Sequence, residues 1–234
     1  MDSNRREQLR RAIIGLPESG LLWSRANSVC AVLVGELGLD AAALSLFLDS
    51  RIREPIVATS DWAWGLTELE YGMGDGPAMA AFTDERAIYV PDLAAVRWHW
   101  PGYVTFACAE HLAAQFCWPI VCGDEPVAVL SGYRRTTGPL SIRRQLDSTI
   151  LVELLADALE DPGTGLPAAV TAVERGELKH YSTVALAISQ IAGQHDLSAE
   201  DAFALLRAHA FGQGRGVRDL AEGIVHDRLE IDLA

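Results

Sequence analysis

Cysteines and a nearby histidine are the first candidates for chemistry in this 234-residue sequence. Cysteines stand at positions 30, 108, 117 and 122, and His111 lies close to Cys108. A structural zinc site typically uses two Cys-x-x-Cys pairs, or one such pair with two histidines, and neither spacing is present. We therefore expect no metal site. The apolar run between Cys117 and Cys122 predicts a buried strand, in which a cysteine behaves as a small hydrophobic residue.

Thiol catalysis is the enzymatic alternative for these residues. It would require Cys108, Cys117 and Cys122 to converge in an electropositive setting, and the nearby Glu110 and the apolar run 116–122 argue against that. No Ser/His/Asp set and no carboxylate pair has a local spacing that requires catalysis. The sequence therefore predicts a protein that is not an enzyme and that needs no cofactor.

The glycines at positions 72, 74 and 76 could form a phosphate-binding loop. In a nucleotide-binding loop Lys-Ser or Lys-Thr follows the glycines, whereas here Pro77 ends the run. Glycine and proline together are typical of a turn, and a turn is the favoured interpretation.

Aromatic residues are abundant in the first two thirds of the chain. One interpretation is an apolar, aromatic-lined pocket for a small molecule, with Trp62, Trp98, Trp100, Phe106 and Phe116 as its candidate lining. The alternative is ordinary core packing, which we favour for Trp118 because it lies within a predicted strand. Both interpretations stay open for Trp98 and Trp100.

Composition and charge limit the function classes. Nineteen basic residues stand against 32 acidic ones, so the net charge of −13 argues against binding nucleic acid by bulk positive charge, though not against a local basic patch. Half of the residues are apolar, which is enough for a buried core. No run of 18 apolar residues predicts a membrane span, and the first residues lack the apolar core of a signal peptide. We expect a soluble, cytoplasmic protein that does not bind membranes.

The length favours two domains, and residues 161–167, with two prolines and two glycines, predict the linker between them. Residues 1–160 are predicted to be an α+β domain, in which helices precede and follow the strands. Its predicted helices cover 26–37 and 146–159, and its predicted strands cover 44–49, 56–59, 88–90, 115–122 and 126–133, the last two forming a hairpin.

Residues 168–234 are predicted to form three short helices around one apolar centre. Ser198 is the predicted N-cap of the second helix, which buries Phe203, and the third helix starts near Val217. In the first helix, Tyr181, Val184, Ile188 and Ile191 form a heptad-like seam. With the terminal helices of the first domain, this seam predicts a homodimer.

Both parts of the chain resemble known bacterial domains. The segments LEYGMGDGP at 69–77, VPDL at 90–93, WP at 100–101 and CWPI at 117–120 resemble, in order, the landmarks of GAF sensor domains. The segments LSAEDAF at 197–203, LLR at 205–207, GRGVRDLA at 214–221 and IV at 224–225 resemble the ANTAR domain, a three-helix RNA binder of transcription antiterminators. The order of the two is similar to GAF-ANTAR proteins of the actinobacterial type.

This resemblance implies a regulator. Its GAF domain, an antiparallel sheet flanked by helices, would sense a small molecule or mediate dimerisation, and its ANTAR domain would bind paired stem-loops in nascent RNA. The implied RNA-contacting residues are Lys179, Arg207, His209, Arg215 and Arg218. The alternative for these residues is a solvated surface on which Arg218 pairs with Glu222.

A second function remains open, namely a sensor or dimerisation protein whose ANTAR domain has lost RNA affinity. Ile188 stands where the family usually has a lysine. After residue 165 the chain has six basic and ten acidic residues, so the attraction of this part to phosphates is weak unless its arginines share one face.

Overall fold

A five-stranded sheet forms the centre of the N-terminal domain in this computed structural model. The structure describes residues 2–16, 23–47, 53–162, 165–166, 183–227, 229 and 231. The strand order is β2-β1-β5-β4-β3, and all neighbours are antiparallel. The strands are β1 (Ala41–Phe47), β2 (Arg53–Ala58), β3 (Ile88–Val90), β4 (Ala114–Cys122) and β5 (Glu125–Arg134). Each predicted strand overlaps an observed strand, and the predicted hairpin is confirmed; residues 48 and 49 of the first predicted strand lie outside the described residues.

The β4–β5 hairpin is the longest pairing of the sheet. It runs from Cys122 opposite Glu125 to Ala114 opposite Arg134, with a register shift at Ile120/Val121. Gly123 in the turn has a φ of 62°, a left-handed conformation that glycine adopts at little cost. This local turn chemistry explains why the hairpin was predictable from sequence.

Three helices cover one face of the sheet. They are α1 (Asp2–Ile14), α2 (Ser24–Leu37) and α6 (Ile142–Glu160), and they share one apolar core with β1, β4 and β5. Ser141 caps α6 by accepting a hydrogen bond from the Arg144 amide, which starts this helix earlier than predicted. Arg5 of α1 forms ion pairs with Asp147 at 2.8 Å and with Glu36 at 2.5 Å, and these pairs join the three helices.

Three further helices cover the other face. They are α3 (Asp61–Met73), α4 (Pro77–Thr83) and α5 (Pro101–Ala109), and a short 3-10 helix (Ala94–Val96) precedes α5. The expectation that helices only precede and follow the strands was wrong, because α3, α4 and α5 lie between β2 and β4 in the chain. Ser60 caps α3 through the Ala63 amide at 3.2 Å.

The glycine run 72–76 joins α3 to α4. Gly74 ends α3 with a φ of 66°, and Pro77 is the first residue of α4. A Cβ at Gly76 would lie 2.5 Å from Oε1 of Glu70, so only glycine fits beside this buried carboxylate. The interpretation as a turn is confirmed.

Three helices form the described part of the C-terminal domain: α7 (Thr183–His195), α8 (Ala199–Gly212) and α9 (Val217–Asp227). Ser198 caps α8 by accepting a hydrogen bond from the Asp201 amide at 3.1 Å, as predicted. Phe203, Leu206, Leu220 and Ile224 are buried in a core shared by these helices. The three-helix prediction is confirmed for the described residues.

The described residues of the predicted dimer seam do not lie on the surface. Val184, Ile188 and Ile191 are buried within the core of their own domain, and Tyr181 lies outside the described residues. Their helical spacing reflects internal packing, so it cannot supply a surface for a second chain. Burial of Ile188 also explains why an apolar residue stands at this position.

The two domains pack on each other. Tyr71 of α3 is buried in the C-terminal core, and its ring centroid lies 5.1 Å from that of Phe203. Helix α6 ends at Glu160, and the exact bounds proposed for the linker stay a prediction. Among the described helices, none is long and apolar enough to cross a membrane.

Candidate nucleic-acid interface and the domain contact

Helix α8 directs Arg207 toward the N-terminal domain. The Arg207 guanidinium lies 5.2 Å from the centroid of the Phe203 ring and reaches the end of α3, where a Cβ on Gly74 would collide with it. The C-terminus of a helix carries partial negative charge, which favours a cation there. Arg207 is thus half-buried at the domain contact.

Arg218, on the first turn of α9, also contacts the N-terminal domain. Its guanidinium carbon lies 5.4 Å from the centroid of the Trp64 ring on α3, and Nε lies 3.5 Å from Oε1 of Glu222. The Glu222 pair expected under the alternative interpretation is therefore present. The surface is not a solvated one, however, because only 21% of the Arg218 side chain is exposed.

Arg215 lies in the loop between α8 and α9 and is exposed. Its Nη2 donates a hydrogen bond to the carbonyl oxygen of Asp219 at 2.7 Å, which holds the guanidinium beside the start of α9. Gly214 precedes it with a φ of 62°, so the sharp loop places Arg215 at the surface. Of the three candidate arginines, Arg215 is the one most available to a phosphate.

A carboxylate of the N-terminal domain lies at the start of α9. Oε2 of Glu68 is 3.0 Å from the position that a Cβ on Gly216 would occupy, immediately before the first residue of that helix. Helix N-termini carry unpaired amide groups and partial positive charge, and they bind anions such as phosphate. Glu68 therefore stands where an RNA phosphate would be favoured on this domain.

The remaining candidates have other surroundings. Nδ1 of His209 lies 3.1 Å from the Leu205 carbonyl oxygen within α8, and the side chain is half-buried. Lys179 lies outside the described residues. The structure brings Arg207 and Arg218 to the contact with α3, and leaves Arg215 beside them at the surface.

The five aromatic residues considered for a ligand pocket do not form one site. Trp98 is 77% exposed, Trp100 is buried in the core beneath α3 and α5, and Phe116 is buried on the opposite face of the sheet. The pocket prediction needs correction for these three, because strand alternation and helix packing direct them apart. Trp62 and Phe106 do line a common cavity at the domain contact. Trp118 is a core residue, as predicted.

A buried polar network fills the space between α3, α4, α5 and the sheet. Tyr103 donates to Oε1 of Gln115 at 2.7 Å, and Nε2 of Gln115 donates to Oε2 of Glu70 at 3.2 Å. The Ala78 amide donates to Oε1 of Glu70 at 2.6 Å. Buried polar groups require such partners, so these residues fix the positions of the helices. This network is not predictable from the sequence, because its members are far apart in the chain.

The cysteines do not converge. Cys117 is buried beneath α4, whereas Cys122 packs against the core on the opposite face of the sheet. Burial raises the pKa of Cys30 to about 12, and burial together with Glu160 raises that of Cys122 to about 11. Both thiols therefore favour the protonated form, which is a poor nucleophile. No cluster of metal-ligating residues occurs in the described part of the chain.

Comparison with solved structures identifies the N-terminal fold. A GAF domain from a phosphoenolpyruvate-protein phosphotransferase of Coxiella burnetii is 17% identical, and the match covers 75% of this chain and 96% of that chain with a TM-score of 0.50. The GAF domain from an Acinetobacter phosphoenolpyruvate-protein phosphotransferase is 13% identical, with coverages of 67% and 93% and a TM-score of 0.50. The N-terminal domain therefore has the GAF fold.

The C-terminal helices are identified by sequence. Residues 175–225 match the family model of the ANTAR domain. The chain thus combines an N-terminal domain of the α+β GAF fold with a C-terminal segment that matches the helical ANTAR domain. A comparison with curated proteins gives no match.

Proposed function

We propose that this protein is an RNA-binding regulator of transcription antitermination, and that its GAF domain controls access to the RNA-binding surface. The observation that carries this proposal is the contact of Arg207 and Arg218 with helix α3 of the GAF domain. The same arginines are those that resemblance to ANTAR domains assigns to RNA. One surface would therefore serve two competing partners.

Electrostatics supports such competition. With a net charge of −13, affinity for RNA depends on a few local cations, because the chain as a whole repels phosphates. In the docked arrangement Arg218 covers Trp64, and Glu68 lies at the start of α9. Contact between the domains therefore makes the Arg218 guanidinium less available to RNA, and it places the Glu68 carboxylate beside the same end of α9. RNA binding would require the two domains to separate, and any signal that favours separation would raise RNA affinity.

The second candidate function is a sensor or dimerisation protein without RNA affinity. The acidic balance of the C-terminal part favours it. The missing lysine does not, because Ile188 is a core residue and an exposed phosphate contact is not expected at its position.

We further propose a homodimer that acts in the cytoplasm and without catalysis. Ile142 and Leu146 are 78% and 59% exposed, and their spacing of four residues places them on one face of α6. Large apolar side chains at such spacing favour a partner helix. The dimer would therefore form through α6 of the GAF domain. The surface with Arg207 and Arg218 would stay available either to α3 of the same chain or to RNA.

The test is the affinity of the full chain for RNA with two adjacent hexaloop stem-loops, measured by fluorescence anisotropy. The control RNA keeps both stems and has the loops replaced. The double variant Trp64→Ala, Glu68→Ala removes two contacts with α9 and is measured in parallel. We expect the variant to bind the paired stem-loops more tightly than the unmodified chain does. If neither protein prefers them to the control RNA, the protein is a sensor without RNA affinity.

A further inference from the structure

A cavity of about 640 Å³ lies between the two domains. Helices α3 and α5 of the GAF domain form one side, and α8, the following loop and the start of α9 form the other. Cavities of small-molecule sites typically measure about 300 to 1,000 Å³. Its size therefore suits a small molecule, and its two sides belong to different domains.

The walls of this cavity are mainly apolar and aromatic. Phe106 of α5 and Phe211 of α8 pack edge to face, with ring centroids 5.9 Å apart and planes at 85°, so the two domains meet through an aromatic pair. Trp62 is held in place because its Nε1 donates to the Glu110 carbonyl oxygen at 2.8 Å. Arg135 lies 3.9 Å from the centroid of the Trp62 ring. Aromatic side chains favour flat, apolar ligands, because a flat ligand can stack on the face of a ring or pack against its edge.

The charge of the lining is acidic. Asp61, Glu68 and Glu110 are the acidic residues of the described lining, whereas Arg215 is its one basic residue. The Arg215 guanidinium donates to the Asp219 carbonyl oxygen and keeps its charge, so the lining has three acidic residues against one basic residue. A ligand with a positive group is therefore favoured over one with a negative group, and aromatic rings beside carboxylates also suit an ammonium group.

We propose that this cavity binds a small aromatic amine, and that the bound amine holds the ANTAR domain against the GAF domain. The second part rests on the proposed function. A ligand that contacts both domains binds only the docked state, and by mass action it raises the population of that state. The site is distinct from the interior of the GAF domain, where Glu70, Gln115 and Tyr103 fill the space between helices and sheet.

The experiment uses three probes with the same indole ring. Tryptamine is positively charged, indole-3-ethanol is neutral and indole-3-acetate is negatively charged. Binding to the full chain is measured by calorimetry and by ligand-observed NMR. We expect tryptamine to bind about fivefold more tightly than indole-3-ethanol, a preference of the size that a partly exposed ion pair gives, and indole-3-acetate to bind most weakly.

Variants locate the binding. Phe211→Ala removes one wall and is expected to weaken binding of all three probes. Asp61→Asn removes the charge of an exposed acidic residue of the lining and is expected to reduce only the preference for tryptamine. Trp98→Ala is the matched control, because it removes an exposed aromatic residue outside the cavity. The site is overturned if tryptamine does not bind, if the three probes bind equally, or if Phe211→Ala leaves binding unchanged.

RNA binding tests the second part separately. Saturating tryptamine is expected to lower the affinity of the full chain for the paired stem-loops. If tryptamine binds in the cavity and RNA affinity stays the same, the proposal that the bound amine holds the ANTAR domain against the GAF domain is overturned. The cavity then remains a binding site for the amine. If the chain has no RNA affinity at all, the proposed function fails, and the probe series still decides whether the cavity is a ligand site.

Discussion

The guanidinium carbon of Arg218 lies 5.4 Å from the centroid of the Trp64 ring, so a cation of the ANTAR domain rests on an aromatic ring of the GAF domain. This pair joins two residues of different domains. Arg218 is a candidate for RNA contact, whereas Trp64 is an aromatic residue of the GAF domain. Under the proposed function, their contact makes the domain interface the place where the GAF domain would control RNA binding.

Replacing Trp64 by alanine should favour separation of the domains. A cation–π contact of this kind contributes about 1 kcal/mol, so RNA affinity is expected to rise about fivefold in Trp64→Ala. The measurement is anisotropy with the paired stem-loop RNA at fixed salt. Trp98→Ala, which removes an exposed tryptophan, serves as control and should leave the affinity unchanged. An affinity equal to or below that of the unmodified chain would contradict the competition between GAF contact and RNA.

Arg215 and Arg218 should contribute to the salt dependence of RNA binding. Each contact with a phosphate of single-stranded RNA changes the slope of log affinity against log salt by about 0.7, so Arg215→Ala with Arg218→Ala should flatten it by about 1.4. The slope is the informative quantity, because loss of Arg218 also removes the Trp64 contact. Arg11→Ala, an exposed arginine of α1, is the control. An unchanged slope in the double variant would place the RNA elsewhere.

Phe203→Ala should destabilise the ANTAR domain strongly. Phe203 is buried among α7, α8 and α9 and touches Tyr71 of the GAF domain, and truncation of a buried phenylalanine costs about 3–5 kcal/mol. Urea unfolding of the full chain, followed by circular dichroism, measures this loss. Phe211→Ala, at an exposed position of the same helix, should change stability by less than about 1 kcal/mol. A loss in Phe203→Ala as small as that expected for Phe211→Ala would contradict the core role of Phe203.

Ionisation of Cys30 in the unfolded state should lower the free energy of unfolding at alkaline pH. Burial raises its pKa in the folded protein to about 12, whereas an unfolded cysteine has a pKa of about 8.5. Below about pH 8.5 both states are protonated and the stabilising effect is complete; above it the unfolded state ionises first, and the free energy of unfolding falls by about 1.4 kcal/mol per pH unit.

Cys30→Ala should remove this part of the pH dependence, as measured by urea unfolding between pH 8 and about pH 10.5. Cys108→Ala, at a half-buried position on α5, is the control and should keep the alkaline decline. If the Cys30 variant declines as steeply as the unmodified chain, another group is responsible.

Light scattering should show a homodimer of the 25.3 kDa chain at micromolar concentration. Ile142→Glu with Leu146→Glu places charges on the exposed face of α6 and should yield monomers, because two carboxylates oppose burial of that face. Leu186→Glu, at an exposed apolar position of α7, is the control and should leave the dimer intact. A monomer for the unmodified chain would contradict the dimer.

The sequence determined those elements whose signals are local. The β4–β5 hairpin was predictable from two β-rich runs around Gly123, and α8 from the Ser198 cap and the spacing of Phe203 and Leu206. Caps, turns and apolar periodicity involve residues only a few positions apart, so they can be predicted from the sequence alone. The order of GAF and ANTAR domains followed from motifs that are also contiguous in the chain.

Only the tertiary structure decided which faces meet. The periodicity of Val184, Ile188 and Ile191 predicts a buried stripe, but it does not say whether the same chain or a second one covers it. Helix α3 was missed as an element, and its contacts with Arg207 and Arg218 join residues that are far apart in sequence. Such long-range contacts depend on how whole domains dock, and that docking decides whether an arginine faces RNA, solvent or the ring of Trp64.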